Sequence, residues 1–178
     1  MRLAVALCLL LILSCRNEND TEQTVDSPKT QPEWSSNHSV DFNQEIHVRE
    51  ELDITLYLEH HKDLKMKQSS SGLRYTIVEN NQLNETLAQE GDVLDLDLKI
   101  ELLDGTLCYE TDSVPERLVL GRSERESGLQ EALAMMKKND KAKLILPSYL
   151  AYGLLGDSES IPPQSIIIIE VELLNIKR

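Results

Sequence analysis

Side chains that could do covalent or metal chemistry are few and poorly grouped. Cys108 has no histidine near it in the chain, and without a base to draw off its proton it reads as a small apolar strand residue rather than a nucleophile. His38, His47, His60 and His61 all precede the β-rich half. His60 and His61 are adjacent, so on a helix they point about 100° apart and could not easily share one metal ion. There is no glycine-rich phosphate loop, no paired-cysteine metal spacing and no nucleophile-elbow pentapeptide. The residues therefore indicate no metal and no cofactor, and any catalysis would rest on shape and environment.

Composition narrows the field further. In 178 residues, 18 Lys and Arg face 31 Asp and Glu for a net charge of -13, which repels polyanions and argues against nucleic-acid binding. Apolar residues make up 40% but aromatic ones only 4%, so a core, if one forms, is aliphatic.

The amino terminus reads as a processing signal. Met1 and Arg2 precede an apolar run from Leu3 to Leu13, about half the ~20 residues that a membrane-spanning helix needs. Ile12-Leu13-Ser14-Cys15 resembles the lipobox of bacterial lipoproteins, in which the cysteine is acylated and becomes the first mature residue. The resemblance implies a signal peptide over residues 1–14, lipidation at Cys15, and attachment to a membrane through the acyl chains, since an acidic body cannot bind anionic lipid by charge. The plainer alternative is an ordinary cleaved signal with an incidental cysteine. Residues 15–42 are rich in Asn, Glu, Asp, Thr, Gln, Ser and Pro and read as a flexible tether carrying the only tryptophan, Trp34.

Over residues 43–71, Ile46, Leu52, Leu56, Tyr57 and Leu64 fall near helical spacing, although Leu52, Ile54, Leu56 and Leu58 would equally suit a strand; the many Glu, His and Lys favour helix. Beyond Gly72 the pattern changes. Residues 73–78 form a short strand, and residues 94–102 alternate apolar and polar with a period of two, as a half-buried antiparallel strand does. Asp104-Gly105 signals a hairpin returning through residues 106–109. A strand over 117–120 ends at Gly121, and Leu129, Ala132, Leu133 and Met136 make one face of a long helix ending in Lys137-Lys138-Asn139. Strands follow over 141–146 and 166–176. The expected fold is α+β, a curved antiparallel sheet wrapped on one central helix, preceded by the N-terminal helix and the tether.

One series of short segments recurs together in a known family. Glu90-Gly91-Asp92-Val93, Leu103-Asp104-Gly105, Gly128-Leu129-Gln130-Glu131-Ala132-Leu133, Leu146-Pro147, Leu150-Ala151-Tyr152-Gly153, Ile161-Pro162-Pro163 and Val171-Glu172-Leu173-Leu174 resemble an FKBP-type peptidyl-prolyl isomerase domain over residues 72–178. With the lipobox and acidic tether, the whole is similar to the gliding-motility-associated prolyl isomerase lipoproteins of bacteria. The resemblance implies isomerisation of Xaa-Pro segments in exported proteins, in a periplasm-facing envelope lipoprotein, with an envelope complex as a further partner. It implies Tyr152 and Ile161 as catalytic residues, and Leu129, Cys108, Tyr109, Leu118, Glu126 and Ile169 as substrate-binding residues. Large apolar residues before the proline are the expected preference.

Read without the resemblance, Tyr152 is a packed tyrosine, Ile161, Leu118, Leu129 and Ile169 are core, and Glu124, Arg125 and Glu126 are a solvated loop. Where the family carries rings this chain has Cys108, Leu129 and Ile169, and Glu116 or Arg117 falls at another aromatic position. A binding module with little turnover is therefore the alternative to an enzyme.

Overall fold

The computed structural model describes residues 36–79 and 86–178. The expected signal peptide, Cys15 and Trp34 lie outside the described residues. Helix α1 runs Ser36–His60, starting inside the stretch whose composition suggests a tether and ending before Leu64. Its strand-like alternative is not taken. Ile46, Glu50 and Ile54, four residues apart, form the buried stripe of this helix, while Val48, Leu52 and Leu56 face outward.

Seven antiparallel strands follow: β1 Lys67–Gln68, β2 Arg74–Val78, β3 Val93–Leu102, β4 Leu107–Glu110, β5 Glu116–Val119, β6 Lys141–Leu146 and β7 Ile167–Lys177. They are ordered β1-β2-β6-β7-β3-β4, with β5 also on β3. The alternation in β3 does what its period demands, burying Leu94, Leu96, Leu98 and Ile100 on one face. Gly105, at φ +87°, makes the hairpin turn to β4, and Asp104 Oδ1 accepts the Thr106 N–H at 2.9 Å.

The run Ile166 to Ile169 is buried throughout because this end of the sheet is covered on both faces. Ile167 and Ile169 join the main core with Leu118, Leu129 and Leu133. Ile166 and Ile168 meet Ile145 and Ile54 of α1 in a second cluster on the opposite side. Polar contacts fasten α1 there too. The Glu50 carboxylate, itself buried, accepts the Ser148 N–H at 3.0 Å, Arg49 donates to Gln164 at 2.9 Å, and Glu51 pairs with Arg74.

The central helix is shorter than its apolar spacing suggests. Helix α2 covers Ser127–Leu133. The Met135 and Met136 N–H groups bond three residues back, to Ala132 and Leu133, which tightens the chain out of the helix. The Met136 carbonyl is taken by the Ala88 N–H, and Asp140 Oδ2 accepts the Lys137 N–H at 2.7 Å. Met136 is fully buried all the same, so a turn delivers to the core a side chain whose spacing reads as helical.

Helix α2 lies tight against β6 and the 3-10 turn Ser148–Leu150, because Gly128 has no side chain. A Cβ there would sit 2.8 Å from Leu146 Cγ and 3.1 Å from Leu150 Cβ, closer than packed carbon atoms come. Gly128→Ala should therefore destabilise the fold by about 1–3 kcal/mol, the scale of overpacking. Urea denaturation checks this; an unchanged midpoint would show that α2 can retreat without cost.

Candidate functional site

Strand β3 carries both β4 and β5 on one edge, β4 against Lys99 to Glu101 and β5 against Val93 to Leu96. Tyr109 near the end of β4 and Glu116 at the start of β5 are thereby brought to one region of the sheet. After β5, the chain is held by Ser123, whose hydroxyl accepts from the Val119 N–H at 2.9 Å and donates to the Val119 carbonyl at 3.0 Å. Gln130 on α2 completes the hold. Its Nε2 donates to the Ser123 and Arg125 carbonyls at 3.1 and 3.0 Å, and its Oε1 accepts from Gly121 at 3.0 Å.

That loop is not solvated as its charges suggest, for Glu126 is only 4% exposed. Arg125 lies between two carboxylates, Nη1 at 2.9 Å from Glu116 Oε1 and Nε at 3.0 Å from Glu126 Oε2. The guanidinium carbon is 6.0 Å from the centre of the Tyr109 ring, within cation-π range. One atom of each group is left buried without a hydrogen-bond partner: Glu116 Oε2, Glu126 Oε1 and Arg125 Nη2.

Tyr152 follows the 3-10 turn and is half-buried. Burial pushes its phenol well above the usual tyrosine range, and the neighbouring Glu126 carboxylate pushes in the same direction by favouring the protonated hydroxyl. Burial likewise raises the Tyr109 phenol, with Glu116 adding to the effect. The Cys108 thiol is raised by burial first and by the Asp157 charge second, so it is a poor nucleophile near neutral pH.

Ile161 is set by a loop closed around Asp157. Its Oδ1 accepts the N–H groups of Glu159, Ser160 and Ile161 at 2.8, 2.9 and 2.7 Å. Gly156, at φ +72°, passes so close to the Ile161 carbonyl and to Pro162 that no side chain would fit. Cys108 Sγ lies 3.6 Å from the Ser160 carbonyl and joins this loop to β4.

Of the expected residues, Leu118, Leu129, Ile161 and Ile169 belong to a buried layer within the main core, against which Cys108 and Tyr152 pack. None of the four is more than 3% exposed. Tyr152, Tyr109, Arg125 and Glu116 keep some exposure and make a second layer. Arg125 is the residue that sequence reasoning missed. The available signal was its position within three residues of Gly128, the fixed start of a core helix, which leaves the segment little freedom to turn outward.

Three backbone N–H bonds outweigh burial at Asp157 and hold its carboxyl below the usual carboxylate range. A depressed folded value means that folding favours the anion. Its contribution is complete above the unfolded carboxyl pKa of ~3.9 and fades as pH falls through the lower folded value. Asp157→Asn should speed amide hydrogen exchange at Ser160 and Ile161 at neutral pH, and should remove the acid-dependent loosening of the loop seen in the parent. Equal exchange in the two proteins would mean that the loop stands without this carboxylate.

Comparison with known proteins bears on the whole arrangement. Residues 84–174, just over half of the chain, match the pattern of the FKBP-type peptidyl-prolyl cis-trans isomerase family. The chain is 34% identical over 116 residues to the FKBP-type peptidyl-prolyl cis-trans isomerase FkpA of Escherichia coli K12, covering 65% of this chain and 42% of that protein. It is 35% identical over 126 residues to FkpA of Buchnera aphidicola subsp. Schizaphis graminum, covering 68% and 48%. The chain therefore spans less than half the length of these relatives. The crystal structure of FkpA from Escherichia coli superposes with a TM-score of 0.63 at 29% identity, over 78% of this chain and 64% of that one. A prolyl isomerase from Pseudomonas syringae pv. tomato, 21% identical, shares the fold at a TM-score of 0.61 over 74% of this chain and 96% of its own.

Proposed function

From the premise that the chain belongs to the FKBP-type peptidyl-prolyl cis-trans isomerase family, we propose that it interconverts cis and trans Xaa-Pro bonds in exported polypeptides and so assists their folding. The observation that carries this is Tyr152, whose half-buried side chain packs on the main core to which Leu118, Leu129, Ile161 and Ile169 belong. The hydroxyl is the polar handle and the cluster is the apolar floor.

The uncatalysed bond turns over tens to hundreds of seconds, because twisting a planar amide breaks its resonance. The twisted amide is less dipolar than the planar one, so a water-poor apolar surface favours it; each tenfold in rate needs ~1.4 kcal/mol of such preference. No nucleophile is required. Tyr152 holds a flanking carbonyl of the bound peptide, Ile161 abuts the prolyl ring, and Leu129, Leu118, Ile169, Cys108, Tyr109 and Glu126 complete the binding surface. The burial of the floor supports weak rather than strong turnover. The same observation favours a second reading, a module that grips proline-containing segments as a chaperone without turning them over.

The N-terminal pattern around Cys15 supports placement in the cell envelope, facing the periplasm and anchored by acyl chains, with an envelope complex as a further partner. Among the described residues no helix is long and apolar enough to cross a membrane.

A peptide assay following Xaa-Pro conversion tests the enzyme. Tyr152→Phe should lower kcat/KM a few-fold, as expected for one lost hydrogen bond of about 1 kcal/mol, and Tyr152→Ala by more than tenfold. A parent protein no faster than buffer leaves the chaperone reading, while equal rates for parent and Tyr152→Ala would remove Tyr152 from the site.

A further inference from the structure

Helix α1 lies before the stretch that matches the family pattern, residues 84–174, yet two of its side chains reach the segments that carry Tyr152 and Ile161. The first is Glu50, 2% exposed, whose Oε2 accepts the Ser148 N–H at 3.0 Å. Ser148 in turn sets Tyr152. Its carbonyl accepts the N–H groups of Ala151 and Gly153, the residues on either side of Tyr152, at 2.9 and 2.8 Å. The second is Arg49, whose Nη2 donates to Gln164 Oε1 at 2.9 Å. The Gln164 N–H donates to the Gly153 carbonyl at 3.0 Å, so this contact returns to Tyr152 from the far end of the loop that carries Ile161. Gln164 sits at φ +55°, a left-handed conformation that a residue with a side chain keeps only where its surroundings hold it.

We propose that Glu50 and Arg49 are positioning residues for the isomerase site, holding Tyr152 where its hydroxyl meets a carbonyl of the bound peptide. This rests on the isomerase reading for the role of Tyr152. Fastening α1 to the sheet does not require either residue, because Ile54 does so by packing with Ile145, Ile166 and Ile168. A carboxylate taken out of water is a costly fastening for a helix, and Glu50 Oε1 has no partner to offset the cost. Its other oxygen is spent on the turn that leads into Tyr152. The gain is geometric. A hydroxyl displaced by ~1 Å loses most of a hydrogen bond to its substrate, and misplacements of that size are enough to slow catalysis. Arg49 is exposed, so its single bond contributes less than the buried one from Glu50.

The test pairs backbone exchange with peptide binding, both measured on the full chain, so that its outcome does not depend on turnover. Glu50→Ala should speed amide hydrogen exchange at Ala151 and Gly153 about tenfold, and should weaken binding of fluorescein-labelled Ala-Leu-Pro-Phe, read by anisotropy, about fivefold. Arg49→Ala should change each by about twofold. Glu50→Gln, which keeps an oxygen for the Ser148 N–H, should restore most of both, and Val48→Ala, on the outward face of the same helix, should change neither. In a Tyr152→Phe background the hydroxyl is already gone, so Glu50→Ala should weaken binding further by under about twofold; a helix that only stabilises the fold would give the full factor again. Exchange unmoved by Glu50→Ala, a full further factor in the Phe background, or no peptide binding by the parent would overturn the proposal. The expected pattern of losses without turnover would uphold it while refuting catalysis, and turnover with independent losses would do the reverse.

Discussion

The pairing of β3 with β7, which runs from Val93 against Lys177 to Leu102 against Ile167 with one register shift between Asp95 and Leu96, is the constraint on which the rest of the structure depends. It commits one edge of β3 for its full length and leaves the other to be divided between β4 and β5. The division creates the site. A single long strand on that edge would have continued the sheet past Tyr109 and Glu116; two short strands joined by the loop over residues 111–115 let both side chains stand at one place. β7 also brings Ile167 and Ile169 under α2 and Ile166 and Ile168 under α1, so the same ladder ties the two cores together.

The ion cluster over the floor is an unusual use of that place. Taking Arg125, Glu116 and Glu126 out of water costs several kcal/mol per charge, and mutual attraction returns this only when geometry and hydrogen bonding are good. Here the two short contacts to Arg125 are good and the remaining atoms are not satisfied. Apolar residues of similar size would have packed the same volume with no such debt, so stability alone does not explain the charges.

Much of the fold was legible in the sequence, and for identifiable reasons. The period of two in β3, the Asp104-Gly105 turn and the break at Gly121 are local signals, and the strands lie within a residue or so of where those signals put them. Where tertiary contacts outrank local pattern, the reading failed. Met136 keeps helical spacing yet lies past the end of the helix, where its carbonyl accepts from the Ala88 N–H. Ser36 to Phe42 have a tether's composition yet begin α1. The candidate site was legible in its apolar members, which a core requires in any case. It was not legible in Arg125, because a charged loop residue and a buried ion-pair residue look alike until Gln130 and Ser123 are seen to turn the loop inward.

The two layers of the site divide the work between them. During isomerisation the flanking side chains keep their chemistry while the imide twists and loses dipole. Contacts to flanking side chains are therefore equally strong in the planar and twisted states; such uniform binding lowers KM and leaves kcat where it was. Only the layer touching the imide itself can lower the barrier, and in this chain that layer is aliphatic and nearly closed, with Leu118, Leu129, Ile161 and Ile169 buried beneath Tyr152. A protein built so would hold its clients and turn them over slowly.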